Sequence, residues 1–207
     1  MAKDKIFLEP EKINDLRLEA KVSIYRKFFA EYAREEEIEE MNFAFENEVL
    51  DQEIEDDTKD EHRIKAMKST RTATRSNVYN YFSHFLQGED VQNEADGDEN
   101  ITPNQNANYP LLNLLDKTIN KEKYSGKEFV QIGIALRNVV DPKSSIIESI
   151  FERMGQKDPD KVERDVFRKV LKSGIKKNSE LDFLIQSFKY DHEEKFTLEQ
   201  FEKFLKM

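Results

Sequence analysis

Two short stretches of the chain set oxygen donors at nearly alternate positions, the spacing with which an extended loop surrounds a hard cation. One is DGDEN, with Asp96, Asp98 and Asn100; the other holds Asp191 and Glu193 and runs on to Thr197 and Gln200. Calcium is the cation such donors would suit. Asp191 and Glu193 flank His192 and could also serve acid–base chemistry. Little else in the chain can react. It has no cysteine, which removes thiolate nucleophiles, disulfides, zinc–thiolate sites and iron–sulfur ligation. The three histidines, His62, His84 and His192, are isolated, and His84 has no histidine or carboxylate four residues away to share a metal on a helix face. With six glycines in 207 residues there is no glycine-rich phosphate cradle either. An enzyme is not expected.

DGDEN fails as a cation loop on closer inspection. Ile101 stands sixth, where a tight turn needs glycine, Ala107 stands twelfth, and no apolar helix precedes it. It reads as part of an acidic insertion. Charge is distributed in blocks: residues 31–61 carry fifteen acids and two bases, residues 63–75 five bases and no acid, residues 89–99 six acids and no base. The net charge of −10 repels nucleic acid at long range, and the basic stretch lacks interleaved aromatics for base stacking. Arg63, Lys65, Lys68, Arg71 and Arg75 are therefore expected to meet an acidic protein partner, or to be neutralised by the acidic block before them. No apolar run approaches the length of a membrane span, and the start lacks the apolar core of a secretory signal, so a cytoplasmic location is expected.

The elements that must position these residues are helical. Glycine and proline are scarce, and apolar residues recur at steps of three and four. Leu18, Val22, Tyr25, Phe29 and Tyr32 form one stripe after Pro10, continued by Ile38, Met41, Phe45 and Val49. Residues 11–50 are thus either one long amphipathic helix or two helices broken near EEEIEE. Further helices are predicted over residues 77–87, 110–119, 126–140, 143–154, 162–173, 179–189 and 197–206. The divisions expected are an N-terminal helical segment, 1–87, an acidic and Asn-rich linker, 88–110, and a helical domain, 111–207.

The strongest signal is an internal repeat. At an offset of 34 residues, Ile147, Ile150, Phe151 and Met154 superpose on Leu181, Leu184, Ile185 and Phe188. Phe167, Val170 and Leu171 likewise superpose on Phe201, Phe204 and Leu205, and Val162 on Phe196, each eighth in a twelve-residue loop. This pattern over residues 143–207 resembles the EF-hand: helix, twelve-residue loop with one β-type apolar residue, helix. The resemblance implies an all-α fold containing an EF-hand-like lobe, with Val162 and Phe196 meeting across paired loops. A third, shorter copy is suggested by Leu112, Leu115 and Ile119, then Tyr124, then Phe129 and Ile132; its partner would be the segment around Val78 and Leu86.

The cation chemistry of that family does not transfer. In the second loop its ligand positions fall on Lys189, Asp191, Glu193, Lys195, Thr197 and Gln200, and in the first Gly155, Lys157, Pro159 and Val166 stand first, third, fifth and twelfth. An ammonium opens one loop, and neither ends on a bidentate glutamate. No cofactor is expected; if calcium binds at all, Asp191, Glu193, Thr197 and Gln200 would hold it. The resemblance implies a non-catalytic structural or adaptor protein of a larger, cytoskeletal or ciliary microtubule-associated assembly, working without calcium. The alternative is a calcium-responsive regulatory sensor. Partner binding is expected on the stripe Leu18, Val22, Tyr25, Phe29 and Tyr32, which is too aromatic to be left in water and is expected to be covered by residues 77–140 or by another chain.

Overall fold

The computed structural model describes residues 10–50, 71–87, 109–155, 161–187 and 195–206. Asp191, Glu193, Arg63, Lys65 and Lys68, with nearly all of the expected linker, lie outside them. The fold is all-α: among the described residues there are ten α-helices and two short antiparallel strand pairs.

Helix α1 spans Pro10–Lys27, with proline at a first-turn position that needs no N–H, Glu11 in the first turn and Arg26 and Lys27 in the last. It stops at Phe28, and α2, Phe29–Tyr32, follows as a single turn. Ala33 and Arg34 are extended before α3, Glu35–Ala44, whose first turn holds three glutamates at the positive end of the helix dipole. The segment expected as one long helix or two is therefore three, broken at Phe28 and again just ahead of EEEIEE. A π-helical turn, Phe45–Val49, completes it.

The chain forms two compact units, residues 1–33 with 134–207 and residues 34–133. These are not the divisions expected from composition, because α1 joins the C-terminal helices instead of standing apart.

In the first unit, α7 (Ser144–Met154), β3 (Lys161–Glu163) and α8 (Arg164–Leu171) form one helix–strand–helix; α9 (Asn178–Gln186), β4 (Lys195–Thr197) and α10 (Leu198–Lys206) form the next. The two strands pair antiparallel with Val162 opposite Phe196, the contact expected from the resemblance. The Phe196 ring lies 4.8 Å from Phe167, 6.1 Å from Phe151 and 6.2 Å from Phe201, and Phe204 is 5.9 Å from Phe167. Met154 is buried with them, while Phe188 lies outside the described residues.

Helix α1 lies against α8 and α9, and α2 against α7. Leu16, Leu18, Ala20, Val22, Ile24 and Tyr25 are buried there. The approach is closest at Gly174, in the turn after α8: a β-carbon there would stand 1.7 Å from Ser23 Oγ, 2.9 Å from Ser23 Cβ and 3.5 Å from the Glu19 carbonyl oxygen. Only glycine allows this contact. Lys12 pairs with Glu180 at 3.3 Å and Arg153 with Glu31 at 3.2 Å; the Tyr32 hydroxyl donates to the Tyr25 carbonyl at 3.0 Å.

The second unit repeats the plan with different spacing. Strand β1 (Thr72–Thr74) leads into α4 (Arg75–Gln87), and α5 (Tyr109–Thr118) leads through β2 (Lys123–Ser125) into α6 (Gly126–Val140), which continues into the first unit from Ile134. The strands pair antiparallel with Ala73 opposite Tyr124. Phe129 is the hub: its ring lies 4.7 Å from Phe82, 5.2 Å from Tyr81 and 5.3 Å from Phe45. Met41, Val78, Leu115, Ile119 and Ile132 are buried in the same unit. Asn77 Nδ2 donates to the Val49 carbonyl at 3.0 Å, satisfying an acceptor left open where the π turn ends.

Because Tyr25 is fully buried, Tyr25→Ala should destabilise the first unit by about 3–5 kcal/mol, and Phe29→Ala, at a partly exposed position, by clearly less. Gly174→Ala should cost about 1–3 kcal/mol, part of which Ser23→Ala recovers in a double-mutant cycle read by urea unfolding. Additive effects would show that α1 and the 171–175 turn do not touch.

Candidate functional site at the loop exits

Each ladder strand runs directly into a helix, and the residues at that junction include the two proposed cation ligands that are described. Thr197 and Gln200 face one another. The Thr197 backbone N–H donates to Gln200 Oε1 at 2.8 Å, and the Gln200 N–H donates to Thr197 Oγ1 at 3.4 Å. This reciprocal pair satisfies two of the N–H groups that the start of α10 leaves open.

The same device opens α6. Glu128 Oε2 accepts from the Ser125 N–H and from Ser125 Oγ, each at 3.1 Å, and the Glu128 N–H donates back to Ser125 Oγ at 3.3 Å. Its other oxygen is bonded to Lys121 Nζ. That ammonium hydrogen bond is the main reason the Glu128 carboxyl is held below the usual carboxylate range; desolvation opposes it, and the Ser125 donors add to the lowering. Thr74 Oγ1 accepts from the Asn77 N–H at 3.3 Å at the start of α4. At the fourth junction Glu163 makes no side-chain cap, and Val166 stands where the others place Gln200, Glu128 or Asn77.

The arrangement is that of helix starts. Among the described residues, no group of three or more His, Cys, Asp or Glu side chains is placed to hold a metal ion. The loop ahead of β2 is also short, with only residues 119–122 between α5 and the strand. The Lys121 N–H closes it by donating to the Tyr124 hydroxyl at 2.7 Å.

Of the basic residues expected to meet an acidic partner, Arg71 is partly buried and Arg75 is used inside its own unit. Arg75 Nε donates to the Ile119 carbonyl at 2.7 Å, and its terminal nitrogen lies 3.3 Å from Asp116 Oδ1. The acid paired with Arg75 is thus on α5, while Arg63, Lys65, Lys68 and residues 51–61 of the acidic block lie outside the described residues.

The expected docking stripe requires correction. Leu18, Val22, Tyr25 and Tyr32 are buried within the first unit, and Phe29 is partly exposed with its ring 6.4 Å from Tyr32. The cover comes from α8, α9 and α7, not from residues 77–140 or another chain. The stripe is core. The large apolar side chains that are exposed among the described residues are Phe43, at 67%, and Val140, at 53%. Phe43 sits on α3 among the exposed acids Glu36, Glu39, Glu40 and Glu46. Sequence periodicity placed Met41 and Phe45 on the inner face, which by elimination puts Phe43 outside.

No helix among the described residues is long and apolar enough to cross a membrane.

If Glu128 caps α6, Ser125→Ala should cost about 1 kcal/mol, measured by chemical denaturation. The pH dependence has a definite sign. A carboxyl with a lowered folded pKa stabilises the fold above its unfolded value, about 4.3, and that contribution disappears as acid takes the pH down through the folded value. Glu128→Gln should flatten this part of the stability profile, which lies below about pH 5. No family model, no curated protein and no solved structure matches the chain.

Proposed function

We propose that the chain is a non-catalytic structural or adaptor protein, built from helix–loop–helix pairs similar to EF-hands and acting without calcium in a larger protein assembly. The observation that carries this reading is how the oxygens at the loop exits are used. In the resemblance, Thr197 and Gln200 occupy the ninth and twelfth loop places, and here they cap each other at the start of α10. Gln200 has no carboxylate to chelate with, Val166 is apolar at the matching place, and Lys189 would set a positive charge at the first. Loops of this kind hold their helices by backbone pairing and apolar packing, with no cation needed to draw the donors together.

Exposed Phe43 on a glutamate-rich helix supports contact with another protein, since an aromatic anchor ringed by one sign of charge suits a basic partner surface. The cytoskeletal or ciliary character of the assembly rests on the resemblance alone, which is analogy from fold.

Calorimetric titration of calcium into the full chain should show no binding tighter than about 1 mM, the weak end of EF-hand sites. A micromolar site would replace this reading with that of a calcium-responsive sensor.

A further inference from the structure

We infer that the outer face of α3, with Phe43 at its centre, is a docking site for an arginine-rich protein segment. The inference deepens the proposed function and rests on its reading of the chain as a protein-binding component. Residues 35–48 hold seven acids and no base. Glu36, Glu39, Glu40 and Glu46 are exposed one or two turns from Phe43 on its side of the helix. Met41, Ala44 and Phe45 are buried on the other side, so the Phe43 ring, 67% exposed, cannot turn into the core. The Asn47 side-chain amide steadies the next turn by donating to the Phe43 carbonyl at 2.7 Å.

A lone exposed apolar residue is ordinary on a protein surface. Here the ring stands in a field of one sign, and that decides what can cover it. Nucleic acid and anionic lipid are repelled. A second copy presenting the same face is repelled in the same way. A basic protein segment is attracted, and the ring selects arginine within it. A guanidinium can stack on an aromatic face while its planar fork donates to a carboxylate, whereas a lysine ammonium is a compact, strongly hydrated point charge. Glu39, one turn before the ring, is placed to accept.

The test titrates the full chain with hexaarginine and, separately, hexalysine at matched ionic strength, followed by backbone amide resonances. Both should shift residues 35–48, and hexaarginine should bind about two- to fivefold more tightly, the factor an exposed cation–π contact supplies. Phe43→Leu, which keeps an apolar side chain at an exposed position, should fold and lose the preference for arginine; Phe43→Trp should keep or enlarge it. Changing Glu36 and Glu39 to Gln should weaken both peptides, whereas Glu148→Gln with Glu152→Gln, an equal change of charge at exposed positions on α7, should not. Equal affinity for the two peptides, shifts centred outside residues 35–48, or the same loss from both glutamate pairs overturns the inference. Self-association that Phe43→Leu abolishes would make a second copy the occupant, and peptide binding that appears only after Arg63, Lys65 and Lys68 are changed to Gln would make it the chain's own basic stretch; either result overturns it too. A micromolar calcium site with the arginine preference intact would remove the proposed function and leave the docking face.

Discussion

Phe196 sits where four segments meet. Its backbone pairs β4 with β3 opposite Val162, and its ring touches Phe151 on α7, Phe167 on α8 and Phe201 on α10. A three-residue ladder is too short to be stable alone in water. It persists here because each strand hands directly into a helix whose first turn is fixed by the ladder and whose inner face closes over the same rings. Removing the ring would therefore loosen the strand pair and both helix pairs together. The second unit solves the same problem with Ala73 opposite Tyr124, and Phe129 supplies the aromatic centre.

This dependence supports the proposal that the loops work without a cation. Where calcium organises a loop, the ion's charge gathers carboxylates that otherwise repel. Here the junction oxygens of Thr197, Gln200, Ser125 and Glu128 are bound to backbone N–H groups. Glu128, a carboxylate at such a junction, is matched by Lys121 from the same loop. Helix starts that carry their own caps hold one geometry.

Much of this was legible in the sequence where contacts are periodic and local. The offset of 34 residues named both partners of the Val162–Phe196 pair, and the steps of three and four located nearly every helix. In the second unit Tyr124 was recognisable, but its partner was expected near Val78. The partner is Ala73, a small residue inside a stretch rich in arginine and lysine, where no apolar periodicity marks it. The place of α1 was not legible at all. Its contacts lie more than a hundred residues away in sequence, and the sign of them downstream was one glycine, Gly174, set between lysines.

Amide hydrogen exchange on the full chain, with and without 1 mM calcium (about the weak end of EF-hand affinity), tests the central claim most directly. That claim is that α1 is core to the first unit and that the paired loops hold one state without a cation. Residues 16–25 should be protected to the same degree as α7 and α8, and the pattern should be unchanged by calcium. Fast exchange along α1 against a protected α7 and α8, or new protection in the loops on adding calcium, would contradict it.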